Sequence, residues 1–189
     1  MKIVELILDP TDEQSGIEAI SVVETPAIEE NFIALNKQEV LLKEVDKEKR
    51  ILMGAALVPN KQIFRRNEKT DEDYYIFFSE DTVRKASELY FQKSNHQNAT
   101  LEHSEKLKGT TIVESWIVED SKTDKSALYG MDLPKGTWMV SMKIEDDALY
   151  EKAKSGEVKG FSIEGYFADK YEMSKNKENT INKLKDLLK

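Results

Sequence analysis

Apolar and polar positions alternate in the first residues of the chain. Lys2 to Leu8 reads as a strand closed by Asp9-Pro10. Ile20 to Val23 is a short apolar run ended by Glu24-Thr25-Pro26. Residues 28–49 are charge-rich, with Val40, Leu41, Leu42 and Val45 as an apolar minority, and predict an arm, at most partly helical. From Arg50 the pattern strengthens. Ile51 to Val58 is nearly all apolar and predicts a buried strand turned by Pro59-Asn60. Asn67 to Asp73 reads as a polar loop, and Tyr74 to Phe78 as an aromatic and β-branched strand. Ser79-Glu80-Asp81 supplies a capping hydroxyl and first-turn acids, and Val83, Ala86 and Tyr90 keep helical spacing to about Lys93.

The second half repeats this alternation of strand and helix. Thr110 to Glu119 predicts a long strand after Gly109, and Gly136 to Ile144 another. Asp146-Asp147 starts a helix that Gly156 stops. Val158 to Phe167 is a strand interrupted by Gly160 and Gly165. In residues 176–189, Ile181, Leu184, Leu187 and Leu188 share one helical face. The pattern thus predicts an α+β, mainly β protein. A β-barrel or curled sheet with helices packed on it would occupy residues 50–170. Residues 1–49 would be an N-terminal strand and flexible charged arm, and 171–189 an amphipathic helical tail.

Composition narrows the function classes. The 189 residues carry 28 Lys and Arg against 36 Asp and Glu, a net charge of −8, which disfavours general nucleic-acid binding. There is no Cys, so disulfides, thiol catalysis and Cys-based zinc sites are excluded. No apolar run approaches the ~20 residues of a membrane span, and the N-terminus lacks a signal-peptide pattern. These features predict a soluble protein of the cell interior. His96 and His103 are the only histidines, and their spacing is not that of a helix-borne zinc pair. The clusters Asp71-Glu72-Asp73 and Glu145-Asp146-Asp147 lack the ligand spacing of a calcium loop. No phosphate loop and no G-x-S-x-G elbow is present. No metal or other cofactor is called for.

The remaining chemistry lies in hydroxyl and imidazole. Ser162 stands between large apolar residues in Lys159-Gly160-Phe161-Ser162-Ile163-Glu164-Gly165, with Ser162, Glu164 and Tyr166 on one strand face. A serine hydroxyl needs a base to become a nucleophile, and His suits that role near neutral pH. A third group would fix the imidazole tautomer.

Four segments, in this order and spacing, resemble the prohead (capsid maturation) proteases of tailed phages. They are Leu101-Glu102-His103, Gly109 to Asp120, Lys135 to Val140, and Lys159 to Gly165. The closest likeness is to the serine protease group of prophage morphogenesis clusters, which is related to the herpesvirus assembly protease. Ile20 to Ile28 resembles that group's N-terminal segment. The resemblance implies a barrel ringed by helices, with Ser162 as nucleophile and His103 as base. In the herpesvirus enzymes a second His follows the Ser, and here none follows residue 103. Glu114 ranks first as its replacement, with Glu164, His96 or no third member as alternatives. The resemblance further implies scaffold protein, the major capsid protein and the enzyme itself as substrates, inside the assembling prohead in the bacterial cytoplasm, and leaves a homodimer open. The rival readings are an inactive structural or scaffold protein of head assembly and a peptide-binding β module without hydrolysis.

Overall fold

The computed structural model describes residues 2–28, 33–34, 49–67 and 69–175. Most of the predicted charged arm, and residues 176–189 of the tail predicted over 171–189, lie outside the described residues. In chain order the strands are β1 (Lys2–Ile7), β2 (Gly16–Val23), β3 (Ile33–Ala34), β4 (Ile51–Leu57), β5 (Ile63–Asn67) and β6 (Glu72–Phe78). Helix α1 (Glu80–Gln92) and a 3₁₀ turn at Asn95–Gln97 follow. Then come β7 (Ala99–Leu101), β8 (Glu105–Lys106), β9 (Thr110–Ile117), α2 (Lys125–Leu128), β10 (Trp138–Ile144), α3 (Asp147–Ser155), β11 (Gly160–Tyr166) and β12 (Ala168–Asp169). No helix among the described residues is long and apolar enough to cross a membrane.

The protein is mainly β with helices packed on it, as the alternation predicted. The ladders form three four-stranded sheets, ordered β12-β1-β6-β5, β3-β4-β10-β9 and β11-β2-β7-β8. Among the described residues no ladder joins one sheet to another, and the expected closed barrel is not found. β1 pairs in parallel with β6, and β2 lies between β11 (antiparallel) and β7 (parallel). Both N-terminal strands, which precede residue 50, are therefore hydrogen-bonded members of sheets whose other strands come from 50–170.

Local chemistry explains the elements. β10 is buried along nearly its whole length because it is central, between β4 and β9. The Asp146 carboxylate accepts the Leu149 N–H at 2.7 Å and caps α3, which ends on Gly156 at φ 77°. Ser79 stands at the α1 N-cap, but its hydroxyl bonds Thr82 Oγ1 at 3.1 Å rather than a helix N–H. β5 escaped the sequence pattern because it is a short edge strand with Phe64 turned to solvent. The four-residue α2 is held by Asp124, whose carboxylate accepts both the N–H and the hydroxyl of Ser126.

α1 packs on β2 and β10, α3 packs on β10, and β11 lies against β4. The core is centred on Trp138, Tyr90, Phe161 and Tyr150, none more than 1 % exposed. Tyr90 meets Trp138 edge-on, with ring centroids 5.4 Å apart. Its buried hydroxyl has no hydrogen-bond partner among the described residues, and burial pushes its pKa up. Gly165 lies on β11 opposite Ile17 of β2, next to a register shift in that ladder. A Cβ there would stand 2.1 Å from the Gly16 carbonyl oxygen.

Two outcomes follow, both read by chemical denaturation. Tyr90→Phe leaves stability unchanged or raises it by up to about 1 kcal/mol, because the orphaned hydroxyl is removed with the ring retained. Gly165→Ala lowers stability by about 1–3 kcal/mol, because the new methyl forces two paired backbones apart.

Candidate active site

The site is built on one face of the β11-β2-β7-β8 sheet. Ser162 pairs with Ser21 across the β11–β2 ladder, and Ser21 pairs with Thr100 across the β2–β7 ladder. Directly paired residues project from the same face, so three hydroxyl side chains form a row. Glu164, two residues beyond Ser162, shares that face. The opposite face carries Phe161, Ile20, Val22 and Ala99, all buried in the core.

His103 reaches this face through a tight turn. The Ser104 N–H bonds the Leu101 carbonyl at 3.1 Å, closing a turn whose central residues are Glu102 at φ 49° and His103 at φ 56°. Two consecutive left-handed residues are the requirement of a type I′ turn, normally met by Asn or Gly. In Glu and His this conformation costs on the order of 1 kcal/mol each. Three contacts offset that strain. The Glu102 N–H donates to the Val22 carbonyl at 3.1 Å, the His103 N–H donates to Ser21 Oγ at 3.0 Å, and Glu102 Oε1 accepts the Glu24 N–H at 2.6 Å. Ser21, fully buried, donates in turn to the Thr100 carbonyl at 3.4 Å. Its hydroxyl thus seats the backbone of His103 one strand away from Ser162.

The imidazole is oriented by a carboxylate. His103 Nδ1 lies 3.2 Å from Glu164 Oε1, which also accepts the Thr100 hydroxyl. An ionised carboxylate only accepts, so this contact calls for a proton on Nδ1, and in that neutral tautomer Nε2 is the nitrogen left to act as base. Ser162 is 7 % exposed, and its hydroxyl makes no hydrogen bond among the described residues. It borders an open cleft of about 770 Å³, whose other wall is the inner face of β1, β5 and β6. A free hydroxyl, an imidazole with an available nitrogen and a carboxylate behind the imidazole therefore share one sheet face.

The other predicted residues lie elsewhere. Glu114 is on β9, in a different sheet, where it accepts Lys125 Nζ at 2.5 Å and the Ser141 hydroxyl at 2.6 Å. These two hydrogen bonds, the Lys125 one first, hold its carboxyl below the usual range. The neighbouring Asp124 is similar: burial alone would raise it, but bonds from Ser126 and Trp116 keep it low. His96 is in the 3₁₀ turn, stacked on the Phe91 ring with centroids 6.3 Å apart. Neither residue makes a hydrogen bond to His103 among the described residues. Ser21 and Thr100 were not singled out from the sequence. The available signal was a lone hydroxyl inside the apolar run Ile20-Ser21-Val22-Val23, which is costly unless bonded. Among the described residues no three His, Asp or Glu converge as metal ligands do.

The family model described as "Putative phage serine protease XkdF" matches residues 37–172. No curated protein and no solved structure matches the chain.

The Glu114–Lys125 pair gives a pH-dependent outcome. Its folded pKa lies below the ordinary value of 4.5, so the pair stabilises the fold above that pH. The contribution is lost as pH falls through the lowered folded value. Glu114→Gln should cost about 0.5–1 kcal/mol at pH 7, with the difference closing on acidification below pH ~4, as read from denaturation midpoints across pH.

Proposed function

The chain belongs to the family of phage serine proteases whose model it matches, and from that premise we propose that it is a serine endopeptidase of phage head maturation. Ser162 is the nucleophile, His103 the general base and Glu164 the residue that orients the imidazole. The observation that carries this reading is the His103–Glu164 contact on the same sheet face as the unbonded Ser162 hydroxyl.

The chemistry runs in two halves. His103 Nε2 takes the Ser162 proton as Oγ bonds to the scissile carbonyl carbon. The imidazolium, stabilised by Glu164, then protonates the leaving amine as the C–N bond breaks. In the second half His103 deprotonates water, which attacks the acyl-enzyme, and the proton returns to Ser162 as the new carboxyl product leaves. Ser162 and His103 are not hydrogen-bonded to each other among the described residues, and this mechanism requires them to come within hydrogen-bond reach in the substrate complex. The substrates in this reading are capsid-interior proteins: scaffold, the scaffolding segment of the major capsid protein, and the enzyme itself, inside the assembling prohead. The phage protease family supports that context.

The test is cleavage of a co-expressed scaffold protein and of the chain itself, followed by intact mass. Ser162→Ala and His103→Ala should lower kcat by about 10⁴- to 10⁶-fold. Glu164→Gln should lower it about 10²- to 10⁴-fold through loss of the correct tautomer. Glu114→Gln should change it by no more than a few-fold. Equal cleavage by wild type and Ser162→Ala would sink the reading. Intact substrate with folded wild type would favour a structural role in head assembly. Loss with Glu114→Gln but not Glu164→Gln would reassign the third member.

A further inference from the structure

One hydroxyl of the row beside Ser162 touches the carboxylate that orients the base. Thr100 is on β7, two strands from Ser162, with Ser21 of β2 between them. Its hydroxyl donates to Glu164 Oε1, the oxygen that also faces His103 Nδ1 at 3.2 Å. Among the described residues, Thr100 and His103 are the hydrogen-bond partners of the Glu164 carboxylate. Thr100 makes no hydrogen bond to Ser162 or to the imidazole among those residues.

A glutamate side chain turns about three bonds, and 30 % of the Glu164 side chain is exposed. Free in solvent, its carboxylate would sample several rotamers, and the entropy lost on choosing one opposes the contact with His103. The sheet supplies a fixed donor against that loss. Strands β11 and β7 stand about 10 Å apart with β2 between them. Glu164 pairs with Ala19 of β2, and the next residue on that face is Ser21. Both are small, so the carboxylate can pass over β2 toward β7. There it meets Thr100, whose backbone is held in the parallel β2–β7 ladder and whose carbonyl accepts the Ser21 hydroxyl at 3.4 Å. Threonine is β-branched and stiff at χ1. A rigid donor on one strand thus meets a flexible acceptor from another.

We propose that Thr100 is a positioning residue of the hydrolysis, whose hydroxyl holds the Glu164 carboxylate in the rotamer that meets His103 Nδ1. The inference rests on the protease reading and adds a fourth member to the Ser162, His103 and Glu164 group. Thr100 acts through Glu164 alone. It donates to the carboxylate before and after His103 takes the Ser162 proton, and it transfers no proton itself. Its effect therefore falls on the rate of the chemical step and not on substrate binding. A threonine kept for strand packing would behave differently, because packing depends on the branched shape and catalysis on the hydroxyl.

The experiment separates shape from hydroxyl. A proteome-derived peptide library treated with the full wild-type chain supplies a cut site, and a synthetic peptide spanning it is the substrate for kinetics. Thr100→Val, Thr100→Ser and Thr100→Ala are compared with wild type and Ser162→Ala, with denaturation midpoints for each. Stability should follow strand propensity, with Val near wild type and Ser and Ala lower. Activity should follow the hydroxyl instead. Thr100→Val and Thr100→Ala should lower kcat about 10- to 100-fold with KM within about two-fold, and Thr100→Ser should stay within about three-fold of wild type. In a Glu164→Gln background, Thr100→Val should change kcat by no more than about two-fold, because the group it positions is already lost. Wild-type kcat in Thr100→Val, equal losses in the Val and Ser variants, or the full loss repeated on Glu164→Gln would overturn the inference and leave the protease reading standing. Cutting by wild type no greater than that by Ser162→Ala would overturn both.

Discussion

The arrangement depends on the register of β2. Because β2 runs antiparallel to β11 and parallel to β7, one position in it, Ser21, faces Ser162 on one side and Thr100 on the other. The Ser21 hydroxyl then receives the His103 N–H and fixes the strained turn over the sheet. A slip of one residue in either ladder would send a hydroxyl to the core face and an aliphatic residue to the site. The buried polar atom costs energy unless bonded, and its two bonds recover that cost while setting the geometry of a group several residues away.

The two carboxylates considered for the third position illustrate what environment does to one side chain. Glu114 faces a cation and a hydroxyl, and its two hydrogen bonds join β9 to β10 and to the start of α2. Glu164 is also bonded, but to a hydroxyl and an imidazole. Only the second arrangement joins the carboxylate to a side chain able to accept and donate protons as a base. The Lys125 ammonium also stands 5.2 Å from the Trp116 ring centroid, so the Glu114 cluster is a small knot of contacts on β9, in a different sheet from His103 and Glu164.

Strand content and most boundaries were legible in the sequence because burial imposes periodicity. β10, β4 and α3 stand within two residues of their expected limits, since a central strand or a capped helix carries its own signals. β5 was not legible: its outward Phe64 and inward Arg65 invert the usual apolar-in pattern. Ser162 and His103 were put forward through motif likeness; the structure places Ser162 and Glu164 on one face of β11 and His103 Nδ1 3.2 Å from Glu164. Glu114 drew notice for its place on a strong strand, whereas the partner of His103 depends on a turn that carries no Gly or Asn to announce it. Sheet order was beyond reach, because nothing local specifies that a strand at residues 16–23 pairs with one at 160–166.

That long-range pairing also sets a timetable. The ladder holding Ser162 beside Ser21 joins segments separated by most of the described chain, so the fold has high contact order at its site. On a ribosome, β2 emerges early and must wait for β11 before its second edge is covered. His103 and its turn can form on β2 beforehand, but the hydroxyl it would activate arrives last. On the mechanism proposed above, the nascent polypeptide would carry a base without its nucleophile until synthesis has passed residue 166, so cleavage could not begin before that last long strand is made.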